Sequence, residues 1–225
     1  MNPPPSVAIL DVNETLSDLA PLAGRFEEVG APGGLLPTWF AATLRDGIAL
    51  AASGQYAAFP DVARAALLAL LARVGGLTRP LDEAADHVLA GIGTLPLHPD
   101  VEPGLRRLRE AGLRIATLTN GSAATTEALL GRAGVADLVE RTLDVSEVGR
   151  WKPAPEPYWY ACRALGVALS AAALIAVHPW DVHGAKRAGL GGAWLDRHGD
   201  PYPGVFLAPD ATGADLPTLA DRLVQ

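Results

Sequence analysis

The first pronounced pattern in the chain is Val7-Ala8-Ile9-Leu10-Asp11-Val12-Asn13-Glu14-Thr15-Leu16. Four apolar residues run into an aspartate, and a polar turn follows. This reads as a buried strand over 7–11 that delivers one carboxylate to its C-terminal end. Helical spacing follows over 18–30, breaks at Pro32-Gly33-Gly34, and resumes over 36–50 through Trp39, Phe40, Leu44 and Ile48. Gln55 to Pro60 is a short connection, and Asp61 is placed to cap an Ala/Leu-rich helix over 62–73. A further helix is predicted over 81–92. Residues 17–93 therefore hold about four helices and no strand pattern, as a separate helical insert would.

After the insert the pattern alternates. Helices are predicted over 101–111, 125–133, 155–165, 180–188 and 216–224, and strands over 113–119, 138–143, 173–177 and 192–195. Gly112, Gly134, Gly166 and Gly189 stand where helices close. Strand–helix alternation predicts a parallel sheet with helices on both faces. The expected architecture is a Rossmann-like three-layer α/β/α core, residues 1–16 and 94–225, interrupted by an all-helical cap, residues 17–93.

Composition narrows the function classes. The 225 residues are 49% hydrophobic with a net charge of −7, and the 18 Lys+Arg form no dense cluster. Binding to nucleic-acid phosphates is not expected. Cys162 is the one cysteine, on a predicted helix face, and reads as a buried structural thiol. The N-terminus Met1-Asn2-Pro3-Pro4-Pro5 lacks a basic region followed by a long apolar segment, so no signal peptide is expected. No apolar run approaches the ~20 residues that cross a bilayer. The cytoplasm is the expected compartment.

Four predicted strand ends carry polar groups: Asp11 to Thr15, Thr119-Asn120-Gly121-Ser122, Lys152 in Trp151-Lys152-Pro153, and His178-Pro179-Trp180-Asp181. A parallel sheet brings all four to one rim, where open α/β sheets bind ligands. In this order they resemble the four motifs of the haloacid dehalogenase superfamily, and within it the L-2-haloacid dehalogenases (type II). Asp11 with Thr15 matches the nucleophile motif, Thr119 to Ser122 the second, Lys152-Pro153 with Tyr158 the third, and Trp180-Asp181 with Gly184-Ala185 the fourth. The likeness runs nearly end to end, and includes Gln55-Tyr56 and Phe59 in the insert.

The first motif separates reaction types. Superfamily phosphatases carry a second aspartate two residues after the nucleophile, which protonates a departing alkoxide. Asn13 stands there and supplies no proton, whereas a halide leaves without one. Phosphatases also use Mg²⁺, which prefers oxygen ligands. The fourth motif offers Asp181 alone, with Val177 and His178 before it, so no metal or other cofactor is expected. Mg²⁺ enters only if the phosphatase alternative holds.

The resemblance implies a two-step hydrolysis of short 2-haloalkanoic acids to 2-hydroxy acids. Asp11 displaces the halide and forms an ester, which water then cleaves. Thr15 orients Asp11, Lys152 keeps it ionised, and Asp181 positions or activates the water. Val12, Asn13, Thr119, Asn120 and Tyr158 are expected around the substrate, with Trp39 and Phe40 lining the pocket from the cap. His178 is either a base for hydrolysis or a structural partner of the strand ends. Ser122 lies too far past its strand to be assigned. The implied partners are a small 2-haloacid, the released halide and a second copy in a homodimer.

The sequence departs from the family at two places. The family places an arginine for the halide directly after a tryptophan, but Phe40 follows Trp39, and Arg45 is five residues on. Ala176 and His178 replace a serine and an asparagine of the fourth motif. A protein with weak or no dehalogenase activity is thus a further alternative. Trp180 is expected to pack under the site and His183 to lie on a helix surface.

Overall fold

The computed structural model describes residues 4–223. The strands are β1 (Val7–Leu10), β2 (Arg114–Thr119), β3 (Arg141–Asp144), β4 (Ala172–Ala176), β5 (Gly191–Leu195) and β6 (Ala211–Gly213). They form one sheet in the order β3-β2-β1-β4-β5-β6, every pairing parallel. β1 is central and buried along its length, which explains its unbroken apolar run. Strand alternation sorts its residues between two faces. Ala8 and Leu10 pack with Leu105, Leu129 and Leu219, and Val7 and Ile9 pack with Tyr158, Cys162 and Val182. Helices α5 (Val101–Glu110), α6 (Ala123–Arg132) and α9 (Leu216–Leu223) thus cover one face, and α7 (Pro155–Leu165) and α8 (Pro179–Ala188) the other. The expected three-layer α/β/α core is present, and Cys162 is buried in it.

Between β1 and α5 the described residues form only helices: α1 (Leu22–Glu28), α2 (Leu36–Ala52), α3 (Phe59–Leu71), α4 (Leu81–Ala90) and short 3-10 turns. They have their own core around Phe26, Trp39, Leu67 and Val88. The chain leaves and returns through two adjacent segments. Asp18 N donates to Pro96 O (2.9 Å) and His98 N to Leu16 O (2.9 Å).

Some local expectations need correction. Asp61 does not cap α3. The helix begins at Phe59-Pro60, because proline suits the first turn, and Asp61 lies inside that turn with no capping bond. The strand expected over 138–143 begins at Arg141, since Ala136–Leu138 closes into a 3-10 turn. β6 was not expected; three residues carry too little pattern. Met1, Asn2 and Pro3 of the N-terminal reading, and Val224 of the last helix, lie outside the described residues. No helix among the described residues is long and apolar enough to cross a membrane.

The insert is packed onto the core beside the third motif. Trp151 is fully buried. Its indole N–H donates to Ala57 O (2.9 Å), and its ring stacks on Phe59 with centroids 5.7 Å apart. Gly47 of α2 faces that ring so closely that a Cβ would overlap it. Gly47→Ala is therefore expected to destabilise the protein by roughly 1–3 kcal/mol, the usual cost of overpacking. Thermal melting tests this, and an unchanged Tm would show that the Trp151 ring shifts freely.

Candidate active site

The polar strand ends converge where the chain order reverses, between β1 and β4, the usual ligand crevice of such sheets. Asp11 follows β1, and its backbone N–H bonds Ile175 O (3.0 Å). Thr15, one turn on, donates to Asp11 Oδ2 (2.8 Å) and accepts from Val177 N (3.2 Å). One hydroxyl thus fixes the carboxylate and ties the two strand ends together.

Lys152 lies on the other side of Asp11 and is fully buried. Its ammonium donates to Asp11 Oδ1 (2.7 Å), Asp181 Oδ2 (2.6 Å) and Leu118 O (2.8 Å). All three N–H groups are used, so the charge is held without water. Asn120 sets the lysine's backbone. Its Oδ1 accepts from Lys152 N (2.8 Å) and its Nδ2 donates to Lys152 O (3.3 Å). Both ends of the Asn120 amide engage the Lys152 backbone, which leaves one amino hydrogen for a ligand.

Asp181 opens α8 and is fully buried. Tyr158 Oη donates to its Oδ1 at 2.5 Å, and burial, followed by the charge of Asp181, holds that phenol well above its usual value. Burial also raises Asp11, but the Lys152 charge, with His178 and Thr15, outweighs it and keeps Asp11 below the usual carboxylate value. Asp181 goes the other way: burial and the Asp11 charge outweigh its contact with Lys152. Two carboxylates around one ammonium are thereby set apart, the more acidic one at the open side.

His178 stacks on Trp180, with centroids 5.1 Å apart and planes at 19°. Trp180 is accordingly half-buried at the rim rather than packed under the site. His178 Nε2 lies 3.3 Å from Asn13 O and 3.8 Å from Asp11 Oδ2. The Phe40 ring lies 6.3 Å from the imidazole and so faces the site. Trp39 does not. Its indole donates to Ala63 O (2.9 Å) inside the insert; neither Trp39 nor Phe40 lines the cavity beside the site, and both belong to the insert's own core. Arg45 is exposed and paired with Asp46, so it offers no substitute cation. His183 lies on the outer side, where its Nδ1 accepts from Leu207 N (3.1 Å).

A cavity of about 370 Å³ lies between core and insert, reached by Val12 and Asn13, the two residues after Asp11. Val12, Asn13, Thr119 and Gly121 form its core wall, and Phe59, Leu89, Ile92 and Leu95 its insert wall. Thr119 Oγ1 accepts from Gly121 N (2.9 Å), which leaves its hydroxyl hydrogen for a ligand. Ser122 has a structural place as the N-cap of α6, accepting from Thr125 N at 3.4 Å.

The donors do not suit Mg²⁺. The apolar Val177 stands between Ala176 and His178, so the fourth motif adds only the Asp181 carboxylate to that of Asp11. No group of three or more metal-ligating side chains occurs among the described residues.

Two supports of the turn after Asp11 carry no sequence signal. His98 Nε2 lies 3.0 Å from Glu14 O, and Arg197 donates to Thr15 O (2.7 Å), so both pin it from distant parts of the chain. Glu14 itself has φ +61°, the one non-glycine residue in the left-handed region among those described. Its position in the first motif, close to Asp11, was the only signal.

Residues 7–189 match the family model for haloacid dehalogenase-like hydrolases. The chain belongs to this family. This haloacid dehalogenase-like hydrolase is 28% identical over 221 residues to an (S)-2-haloacid dehalogenase from Pseudomonas sp. (strain CBS-3), a match covering 96% of this chain and 94% of the relative. The crystal structure of the L-2-haloacid dehalogenase from Xanthobacter autotrophicus aligns with a TM-score of 0.83 and 25% identity, over 96% of this chain and 97% of that one. A phosphoserine phosphatase from Thermus thermophilus is 36% identical over 147 residues, 65% of this chain and 59% of the relative. The chain spans about half the length of other curated dehalogenases that it matches, 51% of one and 48% of another.

Proposed function

We propose that this haloacid dehalogenase-like hydrolase converts short 2-haloalkanoic acids to 2-hydroxy acids through an ester on Asp11, without a metal. The carrying observation is the Lys152 ammonium, which holds Asp11 ionised from the protein side and leaves its outer side free for attack. Asp11 displaces the halide from C2 as the carbon–halogen bond breaks. Asn13 supplies no acid two residues on, and a departing halide requires none.

Several residues then have supporting roles. The Thr119 hydroxyl, beside the α6 N-terminus, suits the substrate carboxylate. The apolar insert wall suits the substrate's alkyl group. Tyr158 and Asn120 hold Asp181 and Lys152 in place. When water adds to the ester, the new oxyanion forms against Lys152 if the Asp11 oxygen facing it remains the carbonyl.

The phosphoserine phosphatase similarity favours a second reading, a Mg²⁺-dependent phosphatase. Asn13 and Val177 oppose it. Phe40, an aromatic edge where the family has an arginine, favours slow turnover over loss of the chemistry. The test is halide release from L-2-chloropropionate, bromoacetate and fluoroacetate in EDTA. Release unaffected by EDTA is expected. No release from any of the three, with p-nitrophenyl phosphate turned over only with Mg²⁺, would establish the phosphatase reading instead.

A further inference from the structure

The residue that the family resemblance assigns to the water is poorly placed to take its proton. Asp181 is fully buried, with one oxygen on Lys152 (2.6 Å) and the other on Tyr158 (2.5 Å). A general base has to reach the proton directly or through one water. On the open side of Asp11 stand two titratable side chains, His178, whose Nε2 also lies 3.3 Å from Asn13 O, and Glu14. His178 Nε2 is 3.8 Å from Asp11 Oδ2 and 3.6 Å from Glu14 Oε2. The His178 side chain is 13% exposed and that of Glu14 41%, so water reaches both.

The backbone independently singles out Glu14. A left-handed glutamate is disfavoured, and such strain persists only where the surroundings over-determine it. Here His98 holds the Glu14 carbonyl and Arg197 that of Thr15. Stacking on Trp180 fixes the imidazole plane. A strained, pinned turn thus brings a second carboxylate to the same imidazole nitrogen that faces the nucleophile.

We propose that His178 takes the proton of the hydrolytic water and that Glu14 positions and stabilises the imidazole, while Asp181 serves to hold Lys152. This rests on the haloacid reading above. Once the halide has left, a water within ~3 Å of Nε2 and of the Asp11 carboxyl carbon attacks that carbon. Its proton passes to Nε2 of a neutral imidazole, and the carbonyl electron pair moves onto the oxygen facing Lys152. Collapse breaks the bond from the carboxyl carbon to the substrate oxygen. That oxygen takes the proton back from Nε2 and leaves as the hydroxyl of the 2-hydroxy acid. Asp11, now a carboxylic acid, loses its proton to solvent.

The experiment is rapid-quench kinetics with L-2-chloropropionate, read by halide release and intact protein mass. Wild type should show halide release without an accumulated adduct. In Glu14→Gln and His178→Gln, one equivalent of halide per enzyme should appear at a rate within about threefold of wild type. Steady-state turnover should then fall on the order of 100-fold or more, and the protein should carry the added acid on Asp11. Glu14→Gly relieves the backbone strain, so it should raise Tm and still accumulate the ester. Slowed first-turnover halide release without an adduct, or unchanged turnover, would overturn the proposal and leave the haloacid reading intact. No halide release from wild type would overturn both.

Discussion

Asp11→Asn is expected to abolish halide release, a loss on the order of 10⁵-fold or more, as when a covalent nucleophile is removed elsewhere. The protein should stay folded. An amide that turns its oxygen toward Lys152 keeps the 2.7 Å contact, and Lys152 keeps Asp181 as a charged partner at 2.6 Å. One buried ammonium and one buried carboxylate then balance. Halide assays together with thermal melting check the prediction. Residual release above about 1% of wild type would mean that another group attacks the carbon. A lost fold would mean that the second carboxylate charge is required for stability.

The second large effect is expected from Lys152→Met, which keeps the approximate side-chain volume and removes the charge. Asp11 and Asp181 would then share a buried site with no cation between them. Breaking a buried ion pair by removing one partner typically costs about 3–5 kcal/mol, and first-turnover halide release should fall at least ~10³-fold as Asp11 becomes protonated.

The pH response should change sign. Asp11 in the wild type is held below its usual value, so its contribution is present above the ordinary carboxylate range and lost as pH falls through its folded value. Lys152 is held above its usual value, with the two carboxylates outweighing its burial. Its contribution is full below the ordinary lysine range and lost as pH rises through its folded value. Asp181, raised, partly offsets the first of these, because it favours folding below the ordinary carboxylate value. In the variant both carboxylates are raised by burial and by each other. Its Tm should therefore increase from pH 8 to pH 5. A variant melting curve that does not respond to pH would show that water enters to solvate the two acids.

Much of this was legible in the sequence because the features were local. The run into Asp11 gave a buried strand, Gly166 and Gly189 closed helices with left-handed backbones, and Asn13 separated leaving groups that need a proton from those that do not. What stayed hidden depends on distant partners. Asn120 looks like a ligand residue beside Thr119, and only folding shows it engaged on the Lys152 backbone. Trp39 and Phe40 are neighbours with equal claims on a pocket, but both pack in the insert core and only Phe40 also approaches His178. Asp181 carries the motif, yet its occupied oxygens become apparent only with Tyr158 and Lys152 in place. The strain at Glu14 leaves no compositional trace, since the residues that hold it, His98 and Arg197, come from beyond the insert.

The central position of β1 also bears on how the protein is made. Val7 pairs with Arg114 on one side and with Ala172 on the other. During synthesis the strand that ends in Asp11 emerges before both its neighbours, while the whole helical insert is translated in between. The insert, rich in near-neighbour contacts, is able to collapse early. The sheet closes around β1 only after the long loops have been brought together. A truncated chain that ends before β4 would leave the apolar β1 with an unpaired edge, the kind of surface that aggregates.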